Sequence, residues 1–276
     1  MKYKLIADSS SNVLKMDGID FESVSLKIVT DDRIYDDDEA LDTEAMVEEL
    51  QSYKGRSGTS CPNVHDWMTA FGDADAVFVV TITSTLSGSF GAAKQAALTY
   101  QEEHPEVKVH IIDSLSAGPE IHLILEKLKE LIEEGLSFEE IRDRIDAYTT
   151  KTHLLFSLES LKNLVQNGRV SPAVAAVAGI LGLRIVGRAS AEGTLEPLHK
   201  CRGEKKAIPV ICREMKMNGY AGGKVRIAHC QNEKMAEKLA GKIREEFPES
   251  DIEIYSCRGL CSFYAEKGGL MVGFEE

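Results

Sequence analysis

Positive charge is scarce in this chain. Lys and Arg number 32 against 45 Asp and Glu, a formal charge of −13 over 276 residues. A nucleic-acid binder needs a basic face. The cationic stretch Lys200, Arg202, Lys205 and Lys206 is short and holds Glu204 within it, so no nucleic-acid partner is expected. Long apolar runs are missing too. The best, Pro172 to Leu183, falls short of the roughly 18 residues of a membrane helix and runs straight into Arg184. No transmembrane segment is expected. Lys2, Lys4 and Asp8 put charge where a secretory signal would be apolar. The six cysteines include no CxxC pair, and Cys257 and Cys261 have no His/Cys pair at zinc-ligand spacing. The expectation is a cytoplasmic protein with free, buried or half-buried thiols and no metal.

Catalytic signatures are equally sparse. Gly222-Gly223-Lys224 is a lone turn before a strand, not a phosphate-binding loop. Ser89 has Ser87 two residues before it, where a nucleophile elbow needs Gly. No dinucleotide fingerprint follows a strand, no H-E-x-x-H occurs, and the seven His are scattered. Neither a cofactor nor a catalytic residue is expected.

What is present is an ordinary globular composition, 43% hydrophobic and 28% charged, with length for one large domain or two ordinary ones. Tyr3–Ala7 predicts a strand running into Asp8-Ser9-Ser10-Ser11-Asn12, a cluster of turn and capping residues. Ser23–Thr30 alternates as a second strand. A helix capped by Asp42 or Thr43 runs to about Tyr53. Ser57 to Pro62 predicts a loop opening the helix Asn63–Phe71. Ala76–Ile82, continuously apolar, predicts a strand buried on both faces. Helix Ser89–Glu103, strand Val107–Ile112 and helices Ile121–Glu134 and Ser137–Tyr148 follow, the last opened by a Ser137/Glu140 capping box.

Thr149-Thr150-Lys151-Thr152 is the best boundary, dividing the chain into residues 1–149 and 150–276. Beyond it come strand His153–Phe156, helix Leu158–Gln166 and the small-residue helix Pro172–Gly179. A hairpin of Arg184–Ala189 and Leu195–Cys201 turns about Glu192-Gly193. Helices Glu204–Met217 and Glu233–Phe247 alternate with strands Lys224–His229, Asp251–Ser256 and Leu270–Phe274. Strands separated by helices of this length predict an α/β protein with mostly parallel sheets in both halves.

Two hydroxyl-rich segments fall where an open α/β sheet places its ligands, Gly58-Thr59-Ser60-Cys61-Pro62 and Thr83-Ser84-Thr85-Leu86-Ser87-Gly88-Ser89. Free amides at a helix start, hydroxyl donors and a Gly for close approach suit an anion. Plain helix capping accounts for either segment alone. With no Lys or Arg in either, a carboxylate fits better than a phosphate dianion.

Several motifs together resemble the DegV family. They are Ile6-Ala7-Asp8-Ser9-Ser10-Ser11-Asn12, Thr59-Ser60-Cys61-Pro62, Leu86-Ser87-Gly88-Ser89-Phe90, Ile112-Asp113-Ser114, Asn167-Gly168-Arg169-Val170-Ser171 and Val272-Gly273-Phe274. The resemblance spans nearly the whole chain. It implies two α/β domains holding a long-chain fatty acid between them, in some members for presentation to a separate ATP-binding fatty acid kinase that makes acyl phosphate. By motif, Thr59 and Ser87 bond the carboxylate with the Ser60 and Gly88 backbone nearby, and Arg169 serves the kinase step. A surface Arg just past a helix C-terminus is the plain alternative for Arg169.

The chain departs from the family pattern at Tyr264, where a His is usual, at Arg184-Ile185 for Lys-Pro, and at Asn167 for the first Gly of Gly-Gly-Arg. A phenol donates a hydrogen bond but brings no positive charge. The expectation is therefore a non-catalytic lipid-binding protein that supports acyl phosphate formation poorly or uses a different partner. A chain of about 16 carbons offers on the order of 12 kcal/mol from burial before association costs. Val174, Val177, Ile180 and Leu181 are candidates to wall the tail, or ordinary core. The competing reading is an enzyme acting on a small carboxylate or sugar-phosphate at the same loops. An acid or His base beside Ser87 would favour the enzyme, and an apolar tunnel leading away from it the binder.

Overall fold

In the computed structural model, which describes residues 1–170 and 182–276, the first half of the chain forms two sheets. In order come β1 (Tyr3–Asp8), β2 (Asp20–Val24), β3 (Lys27–Thr30), β4 (Ile34–Asp36), α1 (Thr43–Ser52), β5 (Ser57–Ser60), α2 (Val64–Phe71), β6 (Ala76–Thr81), α3 (Ser89–Glu103), β7 (Lys108–Asp113), α4 (Pro119–Glu133) and α5 (Phe138–Thr149). The larger sheet, β2-β1-β6-β7, is parallel throughout.

Every residue of β6 is buried because both faces are covered. Alternation sends Val77 and Val79 toward Trp67, Phe71 and Ala93 of α2 and α3. Phe78 and Val80 point instead toward Ile121, Ile124 and Ile141 of α4 and α5. Asp42 caps α1 through the Ala45 amide, and the Ser137/Glu140 capping box opens α5 as expected. The chain leaves β1 toward β2 on one side and returns through β6 on the other. The C-terminal ends of β1 and β6 thus make a topological switch point, where open sheets bind ligands.

The expected single strand Ser23–Thr30 is two strands in different sheets. At the break, the Leu26 amide donates to Ser9 Oγ at 3.0 Å and its carbonyl accepts from the Asp37 amide at 3.0 Å. Those bonds lead the chain out of the parallel sheet into the small antiparallel sheet β4-β3-β5. Ser57–Ser60, expected to be loop, is the edge strand β5 of that sheet. Its Gly and Ser residues carry no strand pattern, and pairing with β3 alone makes it extended.

The second half contains β8 (Thr152–Leu158), α6 (Lys162–Gln166), β9 (Leu183–Ala189), β10 (Leu195–Arg202), α7 (Glu204–Met217), β11 (Lys224–His229), α8 (Glu233–Glu246), β12 (Asp251–Ser256), α9 (Gly259–Ala265) and β13 (Leu270–Glu275). Its sheet runs β10-β9-β8-β13-β11-β12, and no strand of residues 3–113 joins it. The α/β class stands. The expectation of mostly parallel sheets fails here: only β11 and β12 pair in parallel, the other pairings being antiparallel. The cause is β13, the last strand, which inserts centrally between β8 and β11 and runs against both. The short α9 and the turn at Glu266–Gly269 between it and β13 were not expected, since seven residues are too few to show a helical period.

On one face of this sheet α7 and α8 cover Leu155, Val186, Ile227 and Val272. On the other lies α4 of the first half. A Cβ at Gly273 would come within 2.7 Å of the Glu120 amide, so helix and strand backbones touch there.

Candidate functional site

Alternation along β8 turns Leu154, Phe156 and Leu158 away from the α7/α8 core, in which Leu155 is buried. They face the first half of the chain and wall a cavity of about 290 Å³ together with Leu26, Ile82 and Leu260. The lining also includes Thr59, Ser60, Cys61, Ser87, Gly88, Arg169 and Tyr264. Every head-group residue named from the sequence therefore meets in one place, from β5, the β6–α3 loop, the end of α6 and α9. Val174, Val177, Ile180 and Leu181 lie outside the described residues. The described apolar wall, Leu154, Phe156 and Leu158 above all, was not singled out from the sequence: Leu154-Leu155-Phe156 is a continuous apolar run, and Leu158, expected to open a helix, ends β8 instead, the helix starting only at Lys162.

The loop carrying Ser87 is held from below by a buried acid. Asp8, fully buried at the end of β1, accepts the Ile82 amide at 3.0 Å, the Ser89 hydroxyl at 2.5 Å and the Ser10 hydroxyl. Burial pushes its carboxyl above the usual range, against the pull of these donors. The amides of Leu86 and Ser87 close on the Thr83 carbonyl, and that of Thr83 on the Ser116 carbonyl. The Ser89 amide donates to Ser87 Oγ at 3.2 Å. Ser87 thus accepts the first amide of α3 with its oxygen and keeps its O–H proton for another acceptor.

On the facing side Thr59 Oγ1 and the Tyr264 hydroxyl lie 2.7 Å apart. Two hydroxyls sharing one bond leave one proton to donate outward. Thr59, Ser87 and Tyr264 therefore offer O–H donors at one end of an apolar cavity. Arg169 is the one charged residue in its described lining, which contains no Asp, Glu, His or Lys. Arg169 also lines a neighbouring cleft with Leu86, Arg188 and Leu195, so it stands where the cavity opens outward. Such an arrangement holds an anionic head on donors with an apolar body behind it. Among its described lining residues there is no carboxylate or imidazole to accept a proton.

Two departures from the family pattern have different places. Arg184, 1% exposed, donates to Ser157, to Glu159 at 2.6 Å and to the Gly268 carbonyl at 2.9 Å. It braces β8 and the turn before β13 and is not part of the cavity lining. Asn167 donates to the Ser57 carbonyl at 3.3 Å, joining the end of α6 to the strand that carries Thr59. All six cysteines are free, with Cys61 and Cys261 in the cavity lining.

The comparisons agree over the full chain. The model of the DegV family matches residues 2–276. A DegV domain-containing protein of Streptococcus pneumoniae is 46% identical over 279 residues, covering 100% of this chain and 99% of that protein. A DegV family protein from Eubacterium eligens, solved loaded with heptadecanoic acid, superposes with a TM-score of 0.97 at 47% identity over 99% of each chain. The Streptococcus pneumoniae Fatty Acid Kinase (Fak) B3 protein, solved with linoleic acid, gives a TM-score of 0.97 at 46% identity, covering 100% of this chain and 99% of that one. On its fold, its motifs and these relatives, the chain belongs to the DegV family.

Proposed function

We propose that this protein binds a long-chain fatty acid and presents its carboxylate to a separate ATP-dependent kinase, performing no chemistry of its own. The observation that carries the reading is the cavity: largely apolar, with four hydroxyl-bearing residues, Thr59, Ser60, Ser87 and Tyr264, and no acid or imidazole in its described lining. A buried carboxylate without partners costs several kcal/mol, and Thr59, Ser87 and Tyr264 with the Gly88 and Ser60 backbone satisfy it. The tail supplies affinity and the donors fix which end faces out. Arg169 at the opening serves charge that develops on the exposed carboxylate as it is phosphorylated. Residues 1–149 contribute the head-group loops and residues 150–276 most of the wall, acting as two domains around the ligand in the cytoplasm. The binder is favoured over an enzyme acting at the same loops because no carboxylate or imidazole accompanies Ser87 among the described lining residues.

The test is reconstitution with a fatty acid kinase catalytic subunit, ATP and acid-loaded protein. Acyl phosphate should form slowly with the wild type, faster with Tyr264→His, and slowly again when Arg169→Ala is added. No acyl phosphate from any variant would overturn the presenting role. Wild-type turnover equal to that of Tyr264→His would overturn the part assigned to Tyr264.

A further inference from the structure

The helix that carries Tyr264 is capped from the other half of the chain. The first amides of α9, Gly259 and Leu260, donate to the two carboxylate oxygens of Asp37 at 2.7 and 2.8 Å. Just before them the Arg258 amide donates to Asn12 Oδ1 at 2.7 Å and its guanidinium to the Asp38 carbonyl. One turn on, the Cys261 thiol lies 3.3 Å from the Ser10 carbonyl. Asp37 is wholly buried, and a Cβ at Gly259 would stand 2.7 Å from its Oδ1, so the carboxylate sits directly against the helix backbone.

Asp37 follows β4, and Thr59 lies on β5; both strands pair with β3 in one small sheet. That sheet therefore grips α9 at two points, its amide end through Asp37 and its far end through the Thr59–Tyr264 bond. Between the two, Leu260, Cys261 and Tyr264 form part of the cavity wall.

We propose that Asp37 is a positioning residue for the head-group site: by fixing the start of α9 on the sheet that carries Thr59, it sets where the Tyr264 hydroxyl meets the ligand. The inference rests on the fatty-acid reading for the ligand, but its first test does not. Full-length protein carrying ring-13C tyrosine is observed by NMR without ligand, with Tyr264→Phe identifying the Tyr264 signal. Asp37→Ala should move that signal toward its position in Thr59→Val, where the bond to Thr59 is broken. Asp37→Asn keeps one acceptor oxygen and should move it part of the way, which preserves the test if Asp37→Ala does not fold. A signal unmoved in Asp37→Asn overturns the proposal.

The second test is a double-mutant cycle with hexadecanoic acid. Asp37→Ala should weaken binding about tenfold in the wild-type background and less than about twofold with Tyr264→Phe present. A purely structural Asp37 would weaken both backgrounds equally, which overturns the proposal. If hexadecanoic acid does not bind wild-type protein at all, the fatty-acid reading fails, and the tyrosine signal still decides the role of Asp37.

Discussion

At the scale of single residues, the site works by keeping hydroxyl protons unspent. Ser87 accepts an amide bond and so donates its own proton elsewhere, and Thr59 and Tyr264 share one bond between two hydroxyls. On the proposed function, Ser87→Ala removes one donor from the carboxylate and is expected to weaken acyl binding by about 1.5–3 kcal/mol, with Thr59→Val acting similarly. Titration with a fluorescent fatty acid measures both. Unchanged affinity in both variants would show that these hydroxyls serve only the local bonds they already make. Ser87 was legible in the sequence because its hydroxyl cluster directly follows the apolar strand β6, whereas Thr59 was singled out as loop and lies on β5. The Tyr264–Thr59 bond was not legible, since it joins residues 205 apart that only the docking of α9 brings together. The role of Arg184 was hidden for the same reason: its burial among Ser157, Glu159 and Gly268 is set by two segments distant from it in sequence.

At the scale of elements, the hairpin of β9 and β10 closes on the head-group loop. Its tip places the Gly193 carbonyl 3.0 Å from Thr83 Oγ1 and within bonding distance of Thr85 Oγ1. Gly193 has φ +76, and a Cβ there would come 2.1 Å from Thr83 Oγ1. Gly135 has nearly the same φ, +75, with nothing within 4 Å of a Cβ. Gly135→Ala is therefore expected to cost about 1 kcal/mol, from backbone conformation alone. Gly193→Ala adds the clash and should cost roughly 2–3 kcal/mol. Urea denaturation of the two variants compares them, and equal losses would show that the hairpin tip gives way freely.

The hairpin itself was readable from two alternating runs about Glu192-Gly193, as were the Ser137/Glu140 capping box and the buried strand β6. The direction of the second sheet was not. Helix-separated strands suggest parallel pairing, but whether β13 takes the centre or the edge depends on the α4 face it must cover, which no local pattern encodes.

At the scale of the whole molecule, the two halves meet through a buried acid. Glu120, in the first turn of α4, accepts the Thr152 hydroxyl of β8 at 2.8 Å, while its Oε2 has no partner among the described residues. Burial pushes its carboxyl up to about 7 from an ordinary 4.5, against the pull of Ser116 and Thr152. The folded protein thus holds this proton more tightly than the unfolded chain does. The resulting stability is fully present below about pH 4.5 and is lost as pH rises through about 7, up to about 3 kcal/mol in all. Glu120→Gln should flatten this slope and leave the variant more stable than wild type at pH 8. Urea denaturation at pH 5 and pH 8 reads it, and an unaltered slope in the variant would assign the pH dependence to other groups.

On the proposed function, the cavity between the halves holds an acyl chain. Native mass spectrometry of the purified protein, with organic extraction of the same sample, tests it most directly. The expected result is a mass increment matching a fatty acid of about 14–18 carbons, retained by the wild type and reduced in the Thr59→Val/Ser87→Ala double variant. Protein that carries only phosphorylated metabolites, and takes up no added long-chain acid, would contradict it.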